Sequence, residues 1–236
     1  LCAVTVIAPL LVLIGRSLNA GAYVEALSRG GSSLLRSVAY AAVAATAITA
    51  LGFLTGYLIH TRSLRLWRSV DSLTVFLFAL PSTVIGIGLI GTWNRPLTAF
   101  IYATPVIVIL GYVAQYTALS SRITVSTLAM IPPSMEDAAQ IVGAGWIRRM
   151  GRVMIPLAGR GLGAAWLAAY IFCLRDTGLT MMVYPPGRET LPVRTFTLMA
   201  NGSDALIAAL SVLMVATTVC PLVLLGLVFR KGPRAS

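Results

Sequence analysis

The sequence predicts an all-α fold, a polytopic membrane helix bundle with about six transmembrane helices. Of its 236 residues, 58% are hydrophobic and only 11% are charged, and the mean hydropathy is +0.88. Apolar stretches close to the length that crosses about 30 Å of hydrocarbon recur along the chain. We therefore expect residues 1–236 to form a single membrane domain.

The apolar runs supply the predicted helices in this order: residues near 1–15, 37–60, 73–92, 99–120, 161–183 and 205–229. The first run, LCAVTVIAPLLVLIG, would extend only about 22 Å as a helix, which is too short to cross the bilayer. We therefore expect sequence before Leu1 in the natural product, with the first helix truncated rather than a signal peptide removed.

Small residues and prolines mark the middle runs. Gly52 and Gly56 are spaced so that a neighbouring helix can approach closely, which predicts that the second helix lies inside the bundle. Pro81 and Pro105 fall within the third and fourth runs. Proline removes a backbone N–H and kinks a helix, so a kink is predicted at each position.

The distribution of lysine and arginine indicates the orientation in the membrane. With the start of the first helix inside the cell, eleven of the 18 basic residues lie on the inner side: Arg62, Arg65, Arg68, Arg122, Arg148, Arg149, Arg152, Arg160, Arg230, Lys231 and Arg234. The other seven lie outside: Arg16, Arg29, Arg36, Arg95, Arg175, Arg188 and Arg194. Residues 121–160 are therefore predicted to face the cytoplasm.

Several classes of function are disfavoured. The net charge of +11 does not indicate nucleic acid binding, because the basic residues sit between apolar runs and are not interleaved with aromatics. Cys2, Cys173 and Cys220 lack metal-ligand spacing, and His60 is the sole histidine, so no metal site is predicted. The sequence shows neither a phosphate-binding loop nor a nucleophile paired with a base. We expect a chain that is not an enzyme and holds no cofactor.

Residues 134–157 form the longest polar interruption and are predicted to be a cytoplasmic loop with its own short helix. Pro132 and Pro133 end the preceding element, and Ser134 with Asp137 three residues later is typical of a capping box. The helix is expected over 135–142, with Gly143 in the left-handed conformation that stops it.

One face of this short helix is apolar. Met135, Ala138, Ala139 and Val142 recur at helical spacing, whereas Glu136, Asp137 and Gln140 lie away from that stripe. Periodicity alone leaves two interpretations open, a helix that rests on lipid headgroups and a helix that docks in a groove of a partner protein.

The spacing of this loop resembles the cytoplasmic motif of binding-protein-dependent ABC transporter permeases, which reads Glu-Ala-Ala, three residues, Gly, nine residues, Ile, one residue, Leu-Pro. The matching positions are Asp137, Ala138, Ala139, Gly143, Val153, Ile155 and Pro156. Asp137, Val153 and Ile155 are conservative replacements for the Glu, Ile and Leu of the motif. The resemblance implies a coupling helix seated on an ATPase, with Met135, Glu136 and Val142 joining the coupling residues.

The same resemblance implies the partners and the location. They are a cytoplasmic ABC ATPase dimer that binds ATP, an external substrate-binding protein, and a second permease unit that is identical, related or fused. The lipid bilayer would be that of a bacterial inner membrane, crossed several times.

On the outer side, Asp176 and Gly178 resemble an acidic residue and glycine that the family often has at this point, and they are candidates for the pathway or an outer gate. The alternative is that Asp176 lies at the water interface and pairs with a nearby arginine. A short outer helix is predicted over Pro192–Ala200.

The stretches ALPSTVIGIGLI and YPPGRETLPVRTFTLM resemble permeases of the ferric-iron branch of this family. Ferric iron is therefore the expected cargo, with polyamine, thiamine, sulfate or phosphonate as alternatives. A stand-alone secondary transporter is a further alternative, but the predicted spans hold hardly any of the carboxylates that coupling ions need.

Overall fold

Helices account for nearly all of the computed structural model, which describes residues 2–18, 20–63 and 65–230. In chain order they are α1 (Cys2–Ser17), α2 (Ala20–Thr61), α3 (Trp67–Ala79), α4 (Ser82–Trp93), α5 (Ala99–Tyr102), α6 (Val106–Leu128), α7 (Pro133–Ile141), α8 (Trp146–Arg149), α9 (Ile155–Leu157), α10 (Gly159–Arg175), α11 (Gly178–Val183), α12 (Leu191–Leu198) and α13 (Asp204–Arg230). A π-helical turn, Met150–Met154, joins α8 to α9. The predicted all-α fold is confirmed.

Within the described ranges, three helices are long and apolar enough to cross a membrane unaided: α2, α6 and α13. Two bent pairs pass the same test together, α3 with α4 at 107° and Trp146–Leu157 with α10 at 77°, which brings the candidates to five. The remaining apolar helix, α1, has 16 residues. The sequence predicted about six spans, with the first of them short.

The second helix is much longer than predicted. It was expected over 37–60, but α2 begins at Ala20 and runs for 42 residues. The polar segment 20–36 is helical because it packs at the outer end of the bundle, where Ala22 and Ala26 are buried with Leu191, Leu206 and Leu210. Tertiary packing thus overrides the loop-like composition of this segment.

Small side chains form the centre of the bundle. The largest cluster joins Ala41, Ala44, Ala45 and Ile48 of α2 to Ile107, Val108 and Tyr112 of α6 and to Ala169 and Cys173 of α10. Alanine at the contact lets helix backbones approach closely. Gly52 and Gly56 face Ser120, Ser121 and Thr124 of α6, so the prediction that they admit a neighbouring helix is confirmed.

Three of the predicted helices are broken. The run 73–92 divides at Leu80 and Pro81 into α3 and α4, and the run 99–120 divides before α6, which begins after Pro105 and extends to Leu128. The run 161–183 ends as α10 at Arg175, and α11 follows. At Pro81 the helix stops rather than kinks, because that residue has an extended ψ of 136° and no N–H to continue the ladder.

The outer end of α2 is attached to the segment that leads into α12. The Leu191 backbone N–H donates to Ser37 Oγ at 2.6 Å, and Arg36 Nε donates to the Glu189 carbonyl at 3.2 Å. Arg194 on α12 donates from Nε to the Arg29 carbonyl at 3.1 Å. A short outer helix was predicted over 192–200, and α12 fills most of that range.

Candidate functional site

The short helix α7, on the predicted cytoplasmic side, begins two residues before the predicted start at 135. It begins at Pro133, with Pro132 as the cap residue and no side-chain capping hydrogen bond, so the predicted capping box at Ser134 and Asp137 is wrong. Proline fits the first helical position because its missing N–H would have no partner there. Ser134 therefore lies inside the first turn and cannot cap it.

The end of α7 follows the prediction. Gly143 has φ +77°, the left-handed conformation that other residues adopt only under strain. The Gly143 N–H donates to the Gln140 carbonyl at 2.9 Å, and the Ala144 N–H donates to the Ala139 carbonyl at 3.0 Å. These two bonds form a Schellman motif, which satisfies the last carbonyls of the helix.

Glu136 is the polar residue of α7 that faces the bundle, whereas Asp137 and Gln140 are exposed. Glu136 Oε1 accepts a hydrogen bond of 2.6 Å from the Tyr57 hydroxyl at the inner end of α2. Arg149 Nη2 lies 3.8 Å from the same oxygen, and Arg149 Nη1 donates to Gln140 Oε1 at 2.7 Å. Both charged side chains are largely shielded, with exposures of 15% for Arg149 and 20% for Glu136, so this ion pair is less screened by water than a surface pair.

The apolar residues of α7 are consequently exposed. Met135 is 49% exposed and Val142 82% exposed; Ala138 is exposed and Ala139 half-buried. Ile141 and Ile147 are exposed as well, at 86% and 81%. A helix that is attached to its own protein through Glu136 and whose apolar residues are mostly uncovered lacks a burial partner for those residues.

The second half of the sequence motif, Val153, Ile155 and Pro156, follows α7 and α8 in the chain. Val153 packs against the buried cluster of Phe53, Tyr57, Leu128 and Met154. Ile155 and Pro156, on α9, are exposed. The motif therefore spans an exposed helix and the base of the 77° bend that leads into α10. The coupling role of these residues stays a prediction.

Tyr57 was missed by the sequence analysis. It lies in an Ala- and Gly-rich run, and no local pattern connects it to Glu136, which is 79 positions away. The available signal was weak: a phenol at the inner end of a span, where its hydroxyl needs a polar partner.

Asp176 is buried on the outer side, with 6% of its surface exposed. Its Oδ2 accepts from the Tyr116 hydroxyl at 2.6 Å, and its Oδ1 accepts from the Leu179 and Thr180 N–H groups at 3.0 and 3.3 Å. None of the ion pairs within the described residues includes Asp176. The alternative that Asp176 pairs with an arginine at the water interface is therefore wrong, and its carboxylate caps α11 instead.

Gly178 lies where two broken helices meet. A Cβ at this position would come within 3.3 Å of Ser82 Cβ, the first residue of α4. The start of α11 thus approaches the start of α4 closely. Gly178 permits that approach, while the gate role predicted for it stays a prediction.

Beside this junction lies a cavity of about 440 Å³, whose polar lining includes Ser82, Gln115, Tyr116, Arg175 and Asp176. Gln115 Nε2 donates to Ser82 Oγ at 2.8 Å. Gln115 Oε1 is buried without a hydrogen-bond partner in the described part of the chain. Gln115 was not predicted from the sequence, although an amide within an apolar run was a signal for it.

On the predicted outer surface, three acidic residues each pair with an arginine. The ion pairs are Arg16 with Asp204 at 2.7 Å, Arg29 with Glu25 at 3.2 Å and Arg194 with Glu189 at 3.6 Å. Among the described residues, no group of three or more His, Cys, Asp or Glu side chains could hold a metal ion.

Comparison with known proteins places the chain among transport permeases. No family model matches. The chain is 32% identical over 141 residues to a putative 2-aminoethylphosphonate transport system permease protein of Salmonella typhimurium, covering 59% of this chain and 52% of that protein. It is 24% identical over 208 residues to a spermidine/putrescine transport system permease protein of Haemophilus influenzae, covering 84% and 76%. A putative ferric transport system permease protein of the same organism is 26% identical over 162 residues, covering 68% and 24%. The chain thus spans about half the length of the phosphonate-system relatives.

Solved structures agree on the fold. A bacterial ABC transporter that imports the acidic polysaccharide alginate matches with a TM-score of 0.74 at 11% identity, over 99% of this chain and 91% of that one. An inward-facing methionine ABC transporter matches with a TM-score of 0.64 at 17% identity, over 85% and 96%. The chain is similar in sequence to transport system permease proteins and has the fold of the ABC transporter structures that it matches.

Proposed function

We propose that this chain is a membrane permease subunit of an ATP-driven importer and that α7 is its contact with a cytoplasmic ABC ATPase. The observation that carries the proposal is the orientation of α7, whose charged residue Glu136 binds Tyr57 and Arg149 while Met135 and Val142 are exposed. An apolar helix face with a fixed polar attachment behind it is suited to a groove in a partner protein. The likeness to ABC permeases supplies the class of that partner.

Coupling would run through the polar attachment. Closure of an ATPase dimer would move α7, and the hydrogen bond from Tyr57 to Glu136 would pass that motion to α2. The contacts of Arg149 with Glu136 and Gln140 would pass it to α8 and to the bent helix beyond. Hydrolysis would belong to the ATPase, because this sequence has no phosphate-binding loop.

The other partners follow from the same class. A second permease unit would complete the pathway, and a substrate-binding protein would deliver cargo from outside, where the paired charges of α1, α2 and α12 form the surface. The setting would be a bacterial inner membrane.

The cargo is the finer part of the proposal. Ferric iron was expected from sequence resemblance, but the relatives include systems for 2-aminoethylphosphonate, for ferric iron and for spermidine and putrescine. Relatedness does not choose among these cargoes, whose charges differ in sign. The charged groups that line the cavity beside Asp176 bear on that choice.

The test of the importer proposal is a pair of alanine-to-glutamate variants. Ala138→Glu places a charge on the exposed face of α7, whereas Ala200→Glu places the same charge at an exposed alanine on the predicted outer side. We expect Ala138→Glu to lose copurification with a co-expressed ABC ATPase and to lose uptake, since burying an unpaired carboxylate in an apolar groove is costly.

Ala200→Glu is the control for the effect of an added charge alone. Ala200→Glu should copurify with the ATPase at the level of the unmodified chain, and both variants should insert into the membrane. If Ala138→Glu keeps both ATPase binding and uptake, α7 is not the coupling helix.

A further inference from the structure

The polar cavity beside Asp176 lies where two broken helices meet. Ser82 begins α4 after the 107° bend, and Asp176 follows the last residue of α10. Breaks in membrane helices persist only where the freed backbone groups are buried in protein or line a water-filled space. Junctions of discontinuous helices are where transporters commonly bind their cargo.

The negative charge in this cavity is already engaged. The Asp176 carboxylate accepts three hydrogen bonds, from the Tyr116 hydroxyl and from the N–H groups of Leu179 and Thr180. These donors occupy both oxygens and fix the start of α11. Three of the roughly four lone-pair sites of this carboxylate are therefore occupied, which leaves little of it for a ligand cation.

The positive charge is available. Arg175 lines the same cavity and forms no ion pair within the described residues. Its guanidinium carbon lies 5.9 Å from the centre of the Phe172 ring, a cation–π contact that leaves its N–H donors free for another group. A guanidinium suits the planar recognition of carboxylate or phosphonate oxygens.

One hydrogen-bond acceptor beside the cavity also lacks a donor among the described residues. Gln115 is 6% exposed, its amide nitrogen is used by Ser82, and its Oε1 is buried and has no partner in the described structure. Leaving a buried acceptor without a hydrogen bond costs free energy. Because the Gln115 side chain lines the cavity, a ligand held there is a candidate donor to this oxygen.

From these two groups we infer that the cavity is a cargo subsite for a small anion that also carries an amino or hydroxyl group. The anionic oxygens would bind Arg175, and the N–H or O–H donor would bind Gln115 Oε1. The volume of about 440 Å³ falls in the range of small-molecule pockets. The inference rests on the proposed importer function and argues against ferric iron, because a trivalent cation would meet an unpaired guanidinium.

The experiment measures ligand binding to the purified full chain in lipid nanodiscs. The probes are 2-aminoethylphosphonate, which carries both groups, ethylphosphonate, which lacks the amine, and putrescine, which lacks the anion. Phosphonate binding is followed by ³¹P NMR titration at millimolar concentration, and putrescine binding by saturation-transfer NMR. The variants are Arg175→Gln, Arg175→Lys and Gln115→Met, with Arg188→Gln as the matched control, because Arg188 is exposed and does not line the cavity.

We expect Arg175→Gln to weaken the binding of both phosphonates at least about tenfold, because it removes a charge-assisted hydrogen bond. Arg175→Lys should recover part of the affinity, and Arg188→Gln should change nothing. Gln115→Met should weaken 2-aminoethylphosphonate binding and leave ethylphosphonate binding as it was, since only the first probe carries the donor.

Several results would overturn the inference: no phosphonate binding to the unmodified chain, equal effects of Arg175→Gln and Arg188→Gln, or tighter binding of putrescine than of either phosphonate. ATPase copurification of Arg175→Gln separates the two proposals. If the ATPase still binds while phosphonate binding fails the test, only the subsite is wrong. If phosphonate binding depends on Arg175 but no ATPase associates, only the importer function is wrong.

Discussion

Close packing of α2 on α6 gives a prediction whose size follows from the structure. A Cβ added to Gly56 would lie 2.7 Å from Thr124 Cβ and 2.8 Å from the Ser121 carbonyl oxygen. Ordinary contacts between carbon atoms are about 3.5–4.0 Å. One of the two neighbours is backbone, so relief requires α6 to move by about 1 Å rather than a side chain to rotate. We expect Gly56→Ala to destabilise the α2–α6 contact.

The magnitude combines two opposing terms. Overpacking a close contact costs about 1–3 kcal/mol, while replacing glycine by alanine in a helix returns about 1 kcal/mol. Gly31 lies on the same helix and has no atom within 4 Å of its added Cβ. Gly31→Ala should therefore gain helix stability without the cost of overpacking. The difference in unfolding free energy between the two variants should therefore be about 1–3 kcal/mol, with Gly31→Ala the more stable.

The assay is unfolding of the purified chain in mixed micelles as the mole fraction of dodecyl sulfate increases, followed by circular dichroism. Both substitutions add one methyl group to one helix, so the comparison isolates the contact with α6. Equal midpoints for the two variants, or a higher midpoint for Gly56→Ala, would refute the argument that this glycine is required for close approach.

Three further predictions address the cytoplasmic loop and the orientation. Gly143→Ala should weaken the end of α7 by about 1 kcal/mol because φ is +77°, whereas Gly145→Ala should be near neutral because φ is −62°; hydrogen exchange at α7 would show the difference. Tyr57→Phe should loosen α7 by about 1–3 kcal/mol through the lost bond to Glu136, and unchanged exchange there would contradict it. A single cysteine at 134 should react with impermeant thiol reagents only from the cytoplasm and one at 187 only from outside, and the opposite labelling would invert the topology.

Sequence patterns captured the class of the fold and the close helix contact, because both depend on local composition. Apolar length predicts spans, and the four-residue spacing of Gly52 and Gly56 predicts a close neighbour irrespective of which helix supplies it. The stop at Gly143 was also predictable, since glycine tolerates positive φ better than any other residue.

The failures have a common physical cause in contacts between distant residues. The glycines and serines of residues 28–33 argue against a helix. Packing of Ala22 and Ala26 against Leu191 and Leu210 nevertheless accompanies a continuous helix there. Proline at 81 signalled a kink, but a full break with extended ψ at that residue is observed, and the resulting bend of 107° brings the start of α4 beside Gly178. The partners of Asp176 and the unsatisfied oxygen of Gln115 likewise depend on α6 and α10 meeting, so the cavity could not be read from either segment alone.

Because α2 is one unbroken helix, a movement at one side of the membrane is transmitted to the other side. Tyr57 near its inner end binds Glu136, and Ser37 toward its outer end binds the Leu191 N–H at the start of α12. Twenty residues of helix separate these points, roughly 30 Å, so a tilt of about 5° at one end displaces the other by roughly 3 Å. No break in α2 absorbs that displacement. If the proposed ATPase binds α7, a clamp on the predicted outer surface, such as an antibody fragment bridging α2 and α12, should therefore slow ATP hydrolysis by that partner.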